Sequence, residues 1–217
     1  MIINNSYISK GGSEVTLECE FKEKHTITLA DAKRLGLYGL EEDAFPIEFS
    51  DDELIEFLSQ KLAAIKYASY ILQFSDKSEK VLRHKLKDKG FCPEVIDAAL
   101  QVLNSSGIIS DENLCLRRYI TIATSKLYGP ARIKNELFAK GFSCEDIKNA
   151  QLLADINFSS LLEELCDKLL SSGKTDLSDR KQYDKFYAKL VRYGYGFEDI
   201  RRVLESRKAN DYFDEYN

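Results

Sequence analysis

The chain has 217 residues, 44% hydrophobic and 31% charged, with a formal charge of −5. That balance fits a folded globular protein rather than a disordered one, and it excludes a bulk nucleic-acid coat, which needs a strongly cationic surface. No apolar run approaches the ~18 residues of a membrane span, and MIINNSYISKGGSEV lacks the basic, apolar, small-residue order of a secretory signal, so a cytoplasmic location is expected.

Charge is unevenly distributed along the chain. Residues 1–59 carry 5 Lys/Arg against 13 Asp/Glu, residues 60–150 carry 15 against 10, and residues 151–217 carry 11 against 13. A locally positive middle can face a phosphate backbone or an acidic protein surface. The acidic first segment could shield that middle, or repel DNA. The five cysteines, Cys19, Cys92, Cys115, Cys144 and Cys166, are widely spaced and odd in number. They read as reduced, mostly packed thiols, and neither His25 nor His84 has a second ligand at metal-site spacing.

In SEVTLECEF, Val15, Leu17, Cys19 and Phe21 alternate with polar neighbours, the two-residue period of a half-buried strand. Gly11-Gly12 and Glu23-Lys24-His25 are turn-like, and HTITL can return as a second strand. Residues 2–29 thus predict a small antiparallel sheet. TLADAKRLGLYG then predicts a short helix with Thr28 as N-cap and Gly36 or Gly39 as its stop.

From Ser50 the period becomes helical. Ser50-Asp51-Asp52-Glu53 supplies a capping hydroxyl and first-turn acids, and Leu54, Leu58, Leu62, Ile65 and Leu72 follow on one face as far as Phe74. A second helix begins at Ser75 or Ser78, carries Val81, Leu82 and Leu86, and stops at Gly90. A third starts at Pro93, carries Ile96, Leu100 and Leu103, and ends around Ser105-Ser106-Gly107. In SKLYGPARIKNELFAKGF, Gly129-Pro130 opens another helix and Lys140-Gly141-Phe142 closes it.

The helix endings recur. Leu86-x-x-x-Gly90-Phe91-x-x-Glu94-x-Ile96 matches Leu137-x-x-x-Gly141-Phe142-x-x-Glu145-x-Ile147 and Leu190-x-x-x-Gly194-Tyr195-x-x-Glu198-x-Ile200. The Leu packs the last helical turn, Gly takes a left-handed cap, the aromatic covers the corner, and Ile returns to the core. Repeats of about 50 residues with three helices each predict a mainly α array rather than a sheet enzyme. The expected organisation is a small sheet plus short helix over 1–49, three-helix repeats over 50–106, 107–156 and 157–207, and an acidic tail over 208–217 that docks on the last repeat or stays loose.

KSEKVLRHKLKDKGF, GIISDEN, KLYGPARIKNELFAKGF and DKFYAKLVRYGYGFEDIRRVL resemble the RecX regulatory proteins, bacterial modulators of the recombinase RecA. The resemblance covers residues 55–206, and its most specific element is Tyr128-Gly129-Pro130-x-Arg132-Ile133-x-x-Glu136-Leu137. The chain departs from the family at Ser110, where a second acid usually precedes Asp111, and at Cys115 or Leu116 in place of Ala. The resemblance implies an elongated, curved array of tandem three-helix units. It also implies a regulator without catalytic residues, cofactor or metal that binds RecA filaments, depresses ATP hydrolysis and strand exchange, and so modulates recombination, DNA repair and the SOS response.

On the helix through Lys77–Lys89, Leu82 and Leu86 face inward while Lys80, Arg83 and Lys87 form an outward stripe. In the second repeat Arg132 and Lys134 flank the apolar face made by Ile133 and Leu137. With Arg117, Arg118, Lys126 and Tyr128 these are the candidate contacts to carboxylates on RecA or phosphates of filament DNA. The alternative for each cation is a solvated face with ion pairs inside its own helix, such as Arg132 with Glu136. Gly129 and Pro130 are expected to start a helix rather than touch anything, whereas Tyr128 staples the corner or protrudes as an anchor. Tyr119, Tyr183, Phe186 and Tyr187 are expected to pack between helices.

The sequence has no phosphate-cradling or dinucleotide glycine motif and no His-Glu-x-x-His, and Glu163-Glu164 has no base or metal group beside it, so catalysis is not expected. A weak direct DNA binder or a generic protein scaffold remains the competing reading. A monomer away from membranes is expected.

Overall fold

The structure, a computed structural model, describes residues 1–171 and 177–214, with side chains as far as Arg207. The expected acidic tail therefore lies outside the residues described in full. The chain divides into two compact units, Met1–Ile109 and the part from Ser110 onward.

The first unit begins with strands β1 (Ile2–Ile8), β2 (Glu14–Cys19), β3 (Lys24–Thr28) and β4 (Ile47–Glu48). All pairings are antiparallel, in the order β3-β2-β1-β4. Val15 lies opposite Ile8 on one side and Ile27 on the other, so the alternation in β2 fixes one buried face. Ile3, Val15, Leu17, Cys19 and Ile27 line that face. The alternation stops one step early: Phe21 is 94% exposed and does not join the inner row. Phe21 and Lys22 adopt left-handed φ of 55° and 64°, turning the chain back so that the Cys19 N–H donates to the Glu23 carbonyl at 2.8 Å. Lys24, read as turn, opens β3 opposite Glu18, and His25, the first residue of HTITL, lies opposite Leu17.

Helix α1 (Leu29–Arg34) has the expected cap, the Asp31 N–H donating to Thr28 Oγ at 3.1 Å. The Asp31 carboxylate accepts from Thr28 Oγ at 2.8 Å, Lys61 Nζ at 3.0 Å and Arg34 Nη2 at 3.2 Å. Burial opposes its ionisation, but the hydrogen bonds from Lys61 and Thr28 and the Lys61 and Arg34 charges outweigh it and lower its pKa. Helix α2 (Asp52–Phe74) is capped by the Asp51 carboxylate, which accepts from the Leu54 N–H at 3.0 Å, not by the exposed Ser50 hydroxyl. Its first turns place Ile55 and Leu58 against the sheet. Its later turns place Ala64, Ala68 and Ile71 in a second core with α3 (Glu79–Asp88) and α4 (Pro93–Ser105). The face read as Leu54, Leu58, Leu62, Ile65 and Leu72 is thus two faces, because the helix serves two partners in succession.

The second unit contains α5 (Asp111–Lys126), α6 (Pro130–Ala139), α7 (Cys144–Leu153), α8 (Phe158–Leu170), α9 (Arg180–Arg192) and α10 (Phe197–Asp214). Helices α5, α6 and α7 enclose Leu114, Cys115, Tyr119, Ile133, Leu137, Phe142 and Ile147. Helices α8, α9 and α10 enclose Leu162, Leu165, Phe186, Leu190, Ile200 and Leu204. Phe158 and Leu161 pack against both cores.

The corner motif behaves alike in all three repeats. Gly90, Gly141 and Gly194 take φ of 99°, 92° and 94°. The N–H of the following aromatic then donates to the carbonyl of the motif Leu, Phe91 to Leu86 at 3.2 Å, Phe142 to Leu137 at 3.3 Å and Tyr195 to Leu190 at 3.5 Å. The same leucines are fully buried, so each supplies both the carbonyl that ends its helix and the side chain that seats the helix on the core. Among the described residues no helix is long and apolar enough to cross a membrane.

Candidate partner-binding surface

The nine residues expected to meet a partner fall on both units, Lys80, Arg83 and Lys87 on α3 and the other six on α5, α6 and the corner between them. Lys80 and Lys87 are exposed, seven residues apart on α3, and so share one face. Arg83, placed between them by the stripe, is committed internally. It donates to Asp97 across the corner and to Glu79 at 3.1 Å on its own helix, and these bonds, Asp97 first, raise its pKa further. Arg117 is exposed and Arg118 half-buried on α5.

Lys126, Tyr128 and Arg132 come together where α5 turns into α6. The turn is made by Leu127, left-handed at φ 53° with its side chain buried. The Arg132 guanidinium lies 3.9 Å from the centre of the Tyr128 ring and 5.7 Å from that of Tyr193, and Lys126 Nζ lies 5.3 Å from the Tyr128 ring. Tyr128 and Tyr193 meet edge to face at 5.7 Å. Arg132 Nη1 also donates to the Arg192 carbonyl at 3.0 Å, so the guanidinium satisfies a helix-end acceptor of α9. The Arg132–Glu136 pair, the alternative to partner contact, does not form; Glu136 pairs with Lys126 at 3.1 Å.

Gly129 does more than start a helix. Its N–H donates to the Tyr193 carbonyl at 2.8 Å, and the Ala131 N–H donates to the Gly194 carbonyl at 3.2 Å. The Tyr195 hydroxyl, its pKa raised by burial, donates to the Leu127 carbonyl at 3.1 Å. The strand of residues that carries the family resemblance is therefore spent largely on joining the second repeat to the third. Sequence reasoning missed Tyr193, which occupies the position held by Lys89 and Lys140 in the other repeats; that replacement of a lysine by an aromatic was the available signal.

Lys134 lies exposed on α6. Exposed cations on a rigid helical frame can hold carboxylate or phosphate groups by charge, with lysine acting as a point charge. Of the cysteines, Cys19, Cys115 and Cys166 are buried, whereas Cys92 and Cys144 are exposed at the starts of α4 and α7. Burial pushes the Cys115 thiol up to about 12 and the Cys166 thiol up to about 11. Among the described residues no group of three or more His, Cys, Asp or Glu is placed to hold a metal ion.

The family model described as RecX, first three-helix domain, matches residues 64–103, which span the later turns of α2, α3 and most of α4. A regulatory protein RecX from Pseudomonas savastanoi pv. phaseolicola is 30% identical over 155 residues, which are 71% of this chain and 97% of that relative. Its counterpart from Pseudomonas syringae pv. tomato is 31% identical over 131 residues, 60% of this chain and 82% of the relative. A crystal structure of regulatory protein RecX shares the fold with a TM-score of 0.75 at 18% identity, covering 94% of this chain and all of the other. RecX from Lactobacillus salivarius superposes with a TM-score of 0.62 at 20% identity, covering 68% and 96%. With three-helix repeats, shared corners and a match along nearly the whole of a 30%-identical relative, the chain belongs to the RecX regulatory protein family.

Proposed function

We propose that this protein is a cytoplasmic, non-catalytic regulator that binds RecA and its DNA filament and depresses ATP hydrolysis and strand exchange. The observation that carries the reading is the 30% identity spanning 97% of a relative named as a regulatory protein. The exposed cations support it, since Lys80, Lys87 and Lys134 stand on helices whose other faces are fixed in a core and present charge without rearrangement. Arg83, Tyr128 and Arg132 contribute by holding those helices in place.

The test is ATP hydrolysis by the cognate RecA on single-stranded DNA, titrated with the wild type and with Lys80→Glu/Lys87→Glu. The wild type is expected to inhibit, and the variant to need a higher concentration for the same inhibition. Both exchanged side chains are exposed, so the fold is retained. Absence of inhibition by the wild type at any ratio, with RecA loaded on DNA, would reject the regulatory reading in favour of a DNA binder or an unrelated scaffold.

A further inference from the structure

We propose that the outer face of α6 and α7 is a docking surface for an acidic segment of the partner protein that also carries apolar side chains; the choice of partner rests on the regulatory reading above. The first two repeats correspond position by position around their corners. Helix α6 begins and ends 51 residues after α3, and α7 begins 51 residues after α4. In the first repeat Arg83, three residues before Leu86, meets Asp97, one residue after Ile96, while Glu79 binds the same guanidinium. The corresponding residues of the second repeat are Lys134, Lys148 and Pro130. Both acids are gone, and a second cation stands where one of them was.

Lys134 and Lys148 are exposed, and neither forms an ion pair among the described residues. The third repeat resolves the same positions internally. There Tyr187 stacks on Phe197 with ring centres 6.2 Å apart and donates to its carbonyl at 3.2 Å, and Arg201 pairs with Glu205 at 3.5 Å. Among the described residues the second repeat is thus the one that leaves this site without internal compensation.

The same face is apolar as well as positive. Phe138 follows Lys134 by four residues on α6 and is 58% exposed, and Leu152 follows Lys148 by four residues on α7 and is 81% exposed. Spacing of four places each beside its lysine, where the first repeat has Lys87 and Gln101. Two uncompensated cations repel, and an exposed Phe and Leu keep apolar area in water. A segment with carboxylates and apolar side chains relieves both at once. Nucleic acid fits less well: Phe138 offers a ring for base stacking, but Leu152, the more exposed of the two, does not.

The test compares binding of full-length wild type, Lys134→Glu/Lys148→Glu and Phe138→Ser/Leu152→Ser to RecA filaments on single-stranded DNA, with the naked oligonucleotide as a parallel probe and circular dichroism as a check on folding. Both variants are expected to lose at least ten-fold in affinity for the filament while helicity is kept. Unchanged filament affinity of both variants, with the wild type still inhibiting RecA, would overturn the docking face and leave the regulatory reading standing. A loss confined to the lysine variant, and equal on naked DNA, would reassign the face to phosphate contact and overturn the proposal. Failure of the wild type to bind or inhibit RecA would instead remove the regulatory reading on which the partner rests.

Discussion

Gly129 and Gly194 meet backbone to backbone at the join between the second and third repeats. A Cβ built on Gly129 would lie 2.4 Å from the Gly194 carbonyl oxygen, and one built on Gly194 would lie 2.5 Å from the Arg132 Cβ. Neither neighbour is the free end of a flexible side chain, so the two backbone segments approach this closely only because both residues lack side chains.

Replacement of Gly194 by Ala adds a steric clash to left-handed strain and should destabilise the protein by about 2–4 kcal/mol. Gly90→Ala is the matched control. It has the same left-handed φ, 99° against 94°, but open space around the new methyl, so a loss of about 1 kcal/mol is expected. Urea denaturation of the two variants separates the effects.

Arg132→Lys tests the stacked guanidinium. The charge is kept, but the planar contact with Tyr128 and the bond to the Arg192 carbonyl are lost or weakened. A loss of about 1 kcal/mol in unfolding free energy is expected, with little dependence on salt. A strong salt dependence would show that simple charge, rather than stacking, is what Arg132 contributes.

Asp31 makes stability depend on pH in acid. Its folded pKa is below its unfolded value, so its stabilisation is complete above the ordinary carboxylate pKa of about 4 and is lost as pH falls through the folded value. Asp31→Asn leaves the mostly buried Lys61 ammonium without its counter-charge and should cost about 1–3 kcal/mol at pH 7. The gap between variant and wild type should narrow below about pH 4. Denaturation midpoints at pH 7 and pH 3 measure both.

Thiol titration at pH 8 in native protein should label Cys92 and Cys144 rapidly. Cys19, Cys115 and Cys166 are buried with raised pKa values and should react only after denaturant is added. Mass mapping of the labelled peptides identifies which thiols reacted first.

The repeats were legible in the sequence because a left-handed corner is written locally, in Leu, Gly, aromatic and Ile within eleven residues. The caps at Thr28 and the inner row Val15, Leu17 and Cys19 were legible for the same reason. What joined distant segments was not. β4 has two residues and no period of its own, and it is recognisable only by its pairing with Ile2 and Ile3. Arg132 on an open helical wheel looks like a free cation, since the carbonyl that accepts from it belongs to Arg192, sixty positions further on, and the Tyr193 ring follows that carbonyl. Arg83 is similar: Glu79 lies four residues before it on the same helix, but Asp97 reaches it across a corner.

The double duty of α2 carries an evolutionary consequence. One continuous helix is the floor of the sheet at Ile55 and Leu58 and a wall of the first repeat at Ala64, Ala68 and Ile71. Removing residues 1–49 would leave Ile55 and Leu58 bare, so a simple truncation gives a sticky protein rather than a smaller regulator, and is a poor way to ask whether the acidic segment shields the basic middle. A relative lacking the sheet would be expected to carry hydrophilic residues at the positions of Ile55 and Leu58 and small residues at those of Ala64 and Ala68.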